Sequence, residues 1–343
     1  MRNAGKRVLV TGGAGYIGSV LVPKLLARGF EVTVFDALLF GEAPLAPVAS
    51  RPGFELVRGD LRDTATVAGL LARGRFDAVI HLAAISNDPS SELQPDLTFD
   101  VNLESLAPLM RGARDAGVER FLYASSASVY GVKADPDVTE ELPLEPITLY
   151  ARCKAEGEAV LDSFASPGGM CGVAVRAATV CGWSPRMRLD LTVNILTEHA
   201  VKRGRVRVFG GSQKRPNLHI EDVTDFYLLL LDAPRATVHG RAFNVCAENA
   251  TVGELAEMVR REIDPALPID VVPSDDLRSY HLDASRARDL LGFVPRRPLA
   301  QAVRDVAAAL GDGRIAAPEL PVYRNVEWMK LHPAFFDRSG SPT

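Results

Sequence analysis

The sequence predicts an α/β chain, a doubly wound parallel sheet with a smaller C-terminal lobe, on three observations. Short apolar runs alternate with helix-period segments over the first half of the chain, a glycine-rich turn joins the first run to the first helix, and beyond about residue 176 the alternation gives way to shorter, proline-punctuated elements. Strands that alternate with helices place each crossover on a face of the sheet, which makes the sheet parallel and buries it on both sides.

The elements follow in order. Arg7 to Thr11 reads as a short buried strand, and a helical pattern runs from Tyr16 to Arg28, where Gly29 closes it. Pro23 lies inside that helix and predicts a kink, because it removes one backbone donor. A second strand, Glu31 to Phe35, ends at Asp36. Then come strand Phe54 to Val57, helix Thr64 to Ala72, strand Ala78 to Leu82, helix Asp100 to Ala116 and strand Arg120 to Ala124. A helix from Tyr150 to about Phe164 and a strand from Gly172 to Arg176 complete the regular part. Helices Val252 to Ile263 and Ala284 to Leu291 are assigned to the second lobe. The expected division is a sheet domain over 1–183 with a return near 215–246, a second lobe over 184–214 and 247–337, and a frayed tail over 338–343.

Composition narrows the function classes. With 343 residues, 47% of them hydrophobic, the chain can bury a sizeable core. A formal net charge of -4 gives no general attraction to nucleic acid or anionic membrane, so any phosphate must be held by local features. No run reaches the roughly 18 apolar residues of a membrane span, and no leader pattern precedes the first strand, so a cytoplasmic address is expected. Cys153, Cys171, Cys181 and Cys246 show no paired spacing and are expected to be reduced, packed thiols. The six histidines form no ligand array, and no metal site is expected.

Two constellations carry chemistry. In Gly12-Gly13-Ala14-Gly15-Tyr16-Ile17-Gly18, glycines at 12, 15 and 18 allow a tight turn, close approach of a pyrophosphate and close helix packing, while the helix start offers N–H groups to phosphate. The loop follows a buried strand and precedes an acidic residue at strand end, which is the context of a Rossmann-type dinucleotide site. Asp36 can accept the adenosine ribose hydroxyls and repel a 2′-phosphate, selecting NAD over NADP. Asp60, after the third strand, can hold the adenine amino group or cap the next helix. The second constellation is Ser125-Ser126-Ala127-Ser128-Val129-Tyr130-Gly131 with Tyr150-Ala151-Arg152-Cys153-Lys154. Tyr150 and Lys154, four apart, share a helix face, so the ammonium is expected to favour the ionised phenol, which takes a proton from a sugar hydroxyl while hydride leaves for the nicotinamide. Ser126 holds the reacting oxygen.

These segments, with Gly59 to Asp63, His81-Leu82-Ala83-Ala84, Val101-Asn102, Arg176 to Gly182, Arg215 to Asp222, Phe243-Asn244-Val245 and the region Arg278 to Ala287, resemble the extended short-chain dehydrogenase/reductases of the NAD-dependent nucleotide-sugar epimerase/dehydratase family. The resemblance implies Tyr150 as acid/base, Lys154 as ribose ligand and Ser126 as hydroxyl partner. It implies a dinucleotide site from Gly12, Gly15, Tyr16, Ile17, Gly18, Asp36, Asp60, Leu61, Leu82, Ala83, Ala84 and Asn102 together with Tyr150 and Lys154. Ser86, Ser128, Thr179, Arg186, Arg188, Asn194, Arg215 and Arg278 would face the nucleoside-diphosphate sugar, with Arg215 and Arg278 on its phosphates. His219 and Asp222 are expected to orient the lobe. Helices near Asp100 to Ala116 and Tyr150 to Phe164 resemble those that pair relatives into homodimers.

Two departures stand out. Thr179 occupies a place where many relatives have asparagine, and Ala127 and Ser128 stand where dehydratases of the group carry Asp-Glu; Glu140 and Glu141 are nearby carboxylates able to substitute only by folding over the site. The segment Ser184 to Leu191 with Asn194 resembles a bacterial subgroup that includes GDP-heptose 4-dehydrogenases, and its Arg186 and Arg188 either reach phosphate or are solvated. The leading expectation is a 4-epimerase acting through transient oxidation at C4; the alternatives are a 4-dehydrogenase or 4-ketoreductase on the same residues, a 4,6-dehydratase, and a dinucleotide sensor on the same fold.

Overall fold

The computed structural model describes residues 5–133, 135, 137–166, 168–273 and 280–333. Strands β1 (Arg7–Thr11), β2 (Glu31–Asp36), β3 (Phe54–Arg58), β4 (Ala78–His81), β5 (Arg120–Ala124) and β6 (Cys171–Ala177) form one parallel sheet. Three strands then leave it, β7 (Thr179–Cys181), β8 (Val206–Phe209) and β9 (Lys214–His219), before β10 (Arg241–Val245) returns beside β6. The resulting order, β10-β6-β5-β4-β1-β2-β3, reverses direction of growth between β1 and β4. That switch point opens a crevice at the carboxyl ends of the strands, where open α/β sheets bind ligands.

Thirteen α-helices lie among the described residues. The first six are α1 (Gly18–Ala27), α2 (Thr64–Gly74), α3 (Asp88–Leu93), α4 (Pro95–Phe99), α5 (Leu106–Asp115) and α6 (Leu149–Phe164). They are followed by α7 (Thr192–Arg203), α8 (Ile220–Asp232), α9 (Arg235–Val238), α10 (Val252–Ile263), α11 (Ser285–Leu291), α12 (Leu299–Gly311) and α13 (Asn325–Leu331).

The period-two side-chain alternation of a strand explains why two cores form. Val8 and Val10 of β1 point into a core with Leu21 and Leu25 of α1 and Phe226 and Leu230 of α8, whereas Leu9 points into another with Leu70 of α2, Met110 of α5 and Leu161 of α6. A third core joins α7, α10 and α12 through Leu196, Leu255, Ala256, Ala302 and Val303 over Val206 and Val208 of β8. There β12 (Ile269–Val272) pairs with β8, and β11 (Glu248–Thr251) pairs with β9, which in turn pairs with β7.

The expected elements are present with local differences. Helix α1 begins at Gly18 rather than Tyr16 and continues as one element through Pro23. The single helix expected over Asp100 to Ala116 is divided: Asp100–Glu104 forms a wider π turn, with Ser105 N donating to Asp100 O at 3.0 Å, and α5 starts after it. Pro108, in the first turn of α5, has no N–H to continue the i to i−4 ladder back to Glu104, which is where the sequence interrupts the expected single helix. The helices α3 and α4, which bring Asn87 and Asp88 to the crevice, were not expected from the sequence. No described helix is long and apolar enough to cross a membrane, and all four cysteines are buried and unpaired. Arg278 and the segment 338–343 lie outside the described residues.

Candidate active site

A cavity of about 540 Å³ occupies the crevice, a size suited to a small-molecule site. Its first wall is the strand-end wall. Gly12, at φ +74, donates its N–H to Phe35 O at 2.9 Å, and a Cβ there would stand 2.5 Å from Ala83 N, so only glycine lets β1 turn against the β4 end. A Cβ on Gly18 would meet Gly12 O and Gly13 Cα at 2.6 Å, which explains how the start of α1 packs into its own loop. Asp36 accepts from Ala14 N at 2.9 Å and from Leu38 N at 2.8 Å. Burial raises its carboxyl above the usual range, and those two amides and Arg186 oppose the rise.

Gly15, Tyr16, Ile17, Asp60, Leu61, Leu82, Ala83 and Ala84 line the same cavity. The glycine loop, the helix start, an apolar floor and a strand-end carboxylate together fit a dinucleotide, because they provide donors for its diphosphate and an acceptor for its ribose. Asp60 is differently placed from Asp36: Arg62 clasps it with Nε at 3.0 Å and Nη2 at 2.7 Å from Oδ2. The cap of α2 is Asp63, which accepts from Thr66 N at 3.0 Å.

The second wall carries the proton-transfer candidates. Ser126 stands beside Tyr150, and its Oγ meets Ser128 Oγ at 2.9 Å. Tyr150 is pushed up to about 12, foremost by burial and then by the Asp88 carboxylate, while the Ser126 hydroxyl and Arg188 oppose the rise. The ammonium of Lys154 stands 5.7 Å from the Tyr150 ring centre and donates to Ala124 O at 2.6 Å. Burial pulls Lys154 down to about 8. The expectation that the lysine draws the phenol toward ionisation is not met in this arrangement: burial sets the direction of the Tyr150 shift, and Lys154 is not among the groups that oppose it.

Beneath this wall lies a buried polar network. Arg176 pairs with Glu158, Nη2 to Oε2 at 2.6 Å, and donates to Tyr130 Oη at 2.7 Å, while Ser125 Oγ donates to Glu158. Glu158 lies one turn beyond Lys154 on α6, so the network ties the Ser125–Ser126 turn to the helix that carries Tyr150. Breaking such a buried pair typically costs about 3–5 kcal/mol.

Several expected contacts resolve differently. Asn102 does not line the cavity; it is 2% exposed, accepts from Ile85 N at 2.8 Å and donates to Ile85 O at 2.9 Å, and so positions the segment after β4. Asn194 is also behind the wall: it accepts from Gly182 N at 2.9 Å and donates to Tyr16 Oη and Arg188 O. Ser86, Ser128, Thr179, Arg186, Arg188 and Arg215 line the cavity. The solvated alternative for Arg186 and Arg188 is removed, since both are buried. Arg188 pairs with Asp190, Nε to Oδ1 at 2.9 Å, and donates to Ser86 Oγ at 3.2 Å. Burial raises Asp190, but Arg188 more than offsets it and holds that carboxyl below the usual range. His219 caps α8 and faces Asp305 at 3.2 Å, and Asp222 accepts from Arg296 N and Arg297 N; neither lines the cavity.

The carboxylates near the site also sort themselves. Glu140 accepts from Asn244 N at 2.7 Å and Glu141 pairs with Arg286, and neither lines the cavity. Asp88, at the first turn of α3, does line it and accepts from Thr148 Oγ1 at 2.6 Å. Sequence reasoning missed Asp88, Asn325 and Tyr280. The run Asn87-Asp88-Pro89, a capping signal, was the available cue for Asp88: Asn87 accepts from Ser90 N at 2.9 Å.

Comparison with known proteins agrees with this geometry. The model of the NAD dependent epimerase/dehydratase family matches residues 8–246. A UDP-glucose 4-epimerase of Mycolicibacterium smegmatis is 32% identical over 87% of this chain and 96% of that protein. A dTDP-glucose 4,6-dehydratase of Streptomyces niveus is 28% identical over 98% of this chain and 96% of its own length. Among solved structures, the UDP-glucose 4-epimerase of Thermus thermophilus in complex with NAD superposes with a TM-score of 0.78 at 30% identity, covering 88% of this chain and 98% of that one.

Proposed function

The chain belongs to the NAD dependent epimerase/dehydratase family, an NAD-dependent enzyme of nucleotide sugars, and from that premise we propose that it is a 4-epimerase. The observation that carries the reading is the acid/base complement beside Ser126: the phenol of Tyr150, with no carboxylic acid in the two places after Ser126. Ala127 is buried and has no proton to give, and Ser128 Oγ is bonded to Ser126. In the proposed cycle Tyr150 takes the proton of the C4 hydroxyl, Ser126 holds that oxygen, and Tyr150 returns the proton when the C4 ketone is reduced on its other face. NAD, when bound, supplies the hydride acceptor and then the donor. Gly12 to Gly18, Asp36 and Leu61 would hold it on the strand-end wall, with Lys154 on its nicotinamide ribose.

Elimination of water would need an acid at C6 and a base at C5. Glu140 and Glu141 are turned to Asn244 and Arg286, which supports a reading without elimination. The test is to incubate the protein with UDP-, GDP- and dTDP-hexoses and analyse products by NMR and mass spectrometry. An isomeric 4-epimer with no net NADH is the expected result. Accumulation of NADH with a 4-keto product would make the enzyme a dehydrogenase, and loss of water a dehydratase; either would overturn the reading.

A further inference from the structure

Arg186 and Arg188 are neighbours in one segment, yet only one of them is neutralised. Arg188 has Asp190 within 2.9 Å. Arg186 is 4% exposed, and among the described residues no carboxylate lies within 4.0 Å of it. Its guanidinium lies 3.7 Å from the Phe40 ring centre, and its two side-chain hydrogen bonds run to Met187 O at 3.2 Å and to Asn325 Oδ1 at 2.6 Å. A guanidinium has five donors, so most of its hydrogen-bonding capacity is directed elsewhere. Burial pulls it down to about 9 and Arg188 adds to that fall, while Asp190, Asp36 and Tyr16 oppose it from beyond contact distance. A buried cation with no carboxylate in contact is costly to keep, and an anion that joins it lowers that cost.

Its surroundings say which anion. The Arg186 segment is fastened to the start of α1: Ser184 Oγ donates to Tyr16 O at 2.7 Å and meets Ser19 Oγ at 2.8 Å, and Arg186 N donates to Ser19 Oγ at 3.4 Å. Phe40 belongs to the loop that follows Asp36, and Asp36 is close enough for the two charges to act on each other. The Arg186 backbone is thus tied to the start of α1, and its side chain lies over Phe40 in the loop after Asp36. Asn325, its other holder, opens α13, and Trp328 of that helix donates to Leu39 O at 2.6 Å.

We propose that Arg186 is a cofactor-binding residue, whose guanidinium, held by Phe40 and by Asn325 of the C-terminal helix, neutralises the diphosphate of bound NAD rather than that of the sugar nucleotide. This moves Arg186 from the substrate side, where the sequence placed it, to the cofactor side. It also makes α13, which lies outside the matched residues 8–246, a part of the dinucleotide site. The proposal rests on NAD use and not on the epimerase reading.

Sugar nucleotide and cofactor share the diphosphate, so the experiment measures both on the full chain. Retained NAD is quantified by mass spectrometry after extensive dialysis of purified protein, and NAD affinity is measured by calorimetry. Loss of a charge-assisted contact should weaken NAD binding about ten- to a hundredfold in Arg186→Met. UDP and GDP titrated into NAD-saturated protein should bind the variant within about twofold of the wild type, because their diphosphate lies elsewhere. Unchanged NAD affinity in folded Arg186→Met, or a loss confined to UDP or GDP, would overturn the proposal. Arg186→Lys, which keeps the charge and loses the planar fork, covers the case in which Arg186→Met does not fold: its NAD affinity should fall by less than that of Arg186→Met where both fold, and in any case below wild type with UDP and GDP binding kept. Wild-type NAD affinity in Arg186→Lys would also count against it.

Discussion

The strand-end wall of the cavity and the wall opposite it are built on different principles. On the strand-end wall the features rest on backbone: Gly12 turns beside the strand that precedes it, and Asp36 is held by the amides of Ala14 and Leu38. On the opposite wall the charged groups are placed by partners far along the chain, as with Arg188, which donates to Ser86 Oγ at 3.2 Å, and Asp88, which accepts from Thr148. Backbone geometry leaves a signature in a short window of sequence. Long-range pairing of side chains leaves none, so the cofactor half of the site is readable where the sugar half is not.

The largest expected effect sharpens this comparison at its centre, where the two walls meet. Tyr150→Phe removes the proton-transfer group and should lower turnover about 10²- to 10⁴-fold. NAD retention, which depends on the strand-end wall, should stay near wild type, and both are checked on the same preparation by product NMR and by mass spectrometry. A variant that keeps more than about a third of its activity would mean that proton transfer is carried by another group.

The next effect belongs to the strand-end wall alone. Asp36→Ala removes the acceptor of the ribose hydroxyls and the charge that repels a 2′-phosphate, so the NAD-over-NADP preference should fall about ten- to a hundredfold. Calorimetric titration of each dinucleotide measures it. Equal affinity for the two in the wild type would take Asp36 out of that role.

How much was legible follows from the same physical distinction. Six of the seven parallel strands, α1 and the helix carrying Tyr150 and Lys154 were read from period and glycine placement, and the gathering of Ser126, Tyr150 and the glycine loop at one place was implied by the resemblance. The π turn at Asp100–Glu104 was missed because a helical pattern continues through it. The burial that raises Tyr150 and lowers Lys154 was missed because spacing gives proximity but not solvation. Asn102 and Asn194 were read as ligands because an asparagine that pins backbone and one that binds a ligand look alike in sequence.

A third test lies below the cavity floor, where β4 meets β1. His81 is buried, with Nδ1 2.7 Å from Thr11 Oγ1, and burial, helped by Lys154, pulls it down to about 3. Its ordinary value is about 6.5, so between those values the unfolded chain holds a proton that the folded chain refuses. Stability is complete above about pH 6.5 and falls as pH drops toward 3, by about 1.4 kcal/mol per unit for this one group. His199, pulled to about 4, titrates in the same window. The measurement is therefore the difference between wild type and His81→Asn in urea-unfolding free energy at several pH values. A variant with the wild-type acid slope would show that His81 takes up its proton without unfolding.

The smallest expected effect compares two carboxylates on the strand-end wall itself. Both Asp36 and Asp60 follow a strand and line the cavity, and both were read as dinucleotide contacts. They differ in what already holds them. Among the described residues Asp36 has no cation within 4.0 Å and accepts from two amides, whereas Asp60 is clasped by Arg62 through Nε and Nη2 and also accepts from Arg62 N at 2.8 Å. An acceptor engaged by a guanidinium gains little from a further neutral amino group, since charge-assisted bonds are roughly twice as strong as neutral ones. Asp60→Ala should therefore change NAD affinity by less than about threefold, within the range of a single modest hydrogen bond. The calorimetric titration used for Asp36→Ala checks it directly. A loss from Asp60→Ala as large as that from Asp36→Ala would mean that Arg62 releases Asp60 when the dinucleotide enters, and that the two strand ends share the adenosine equally.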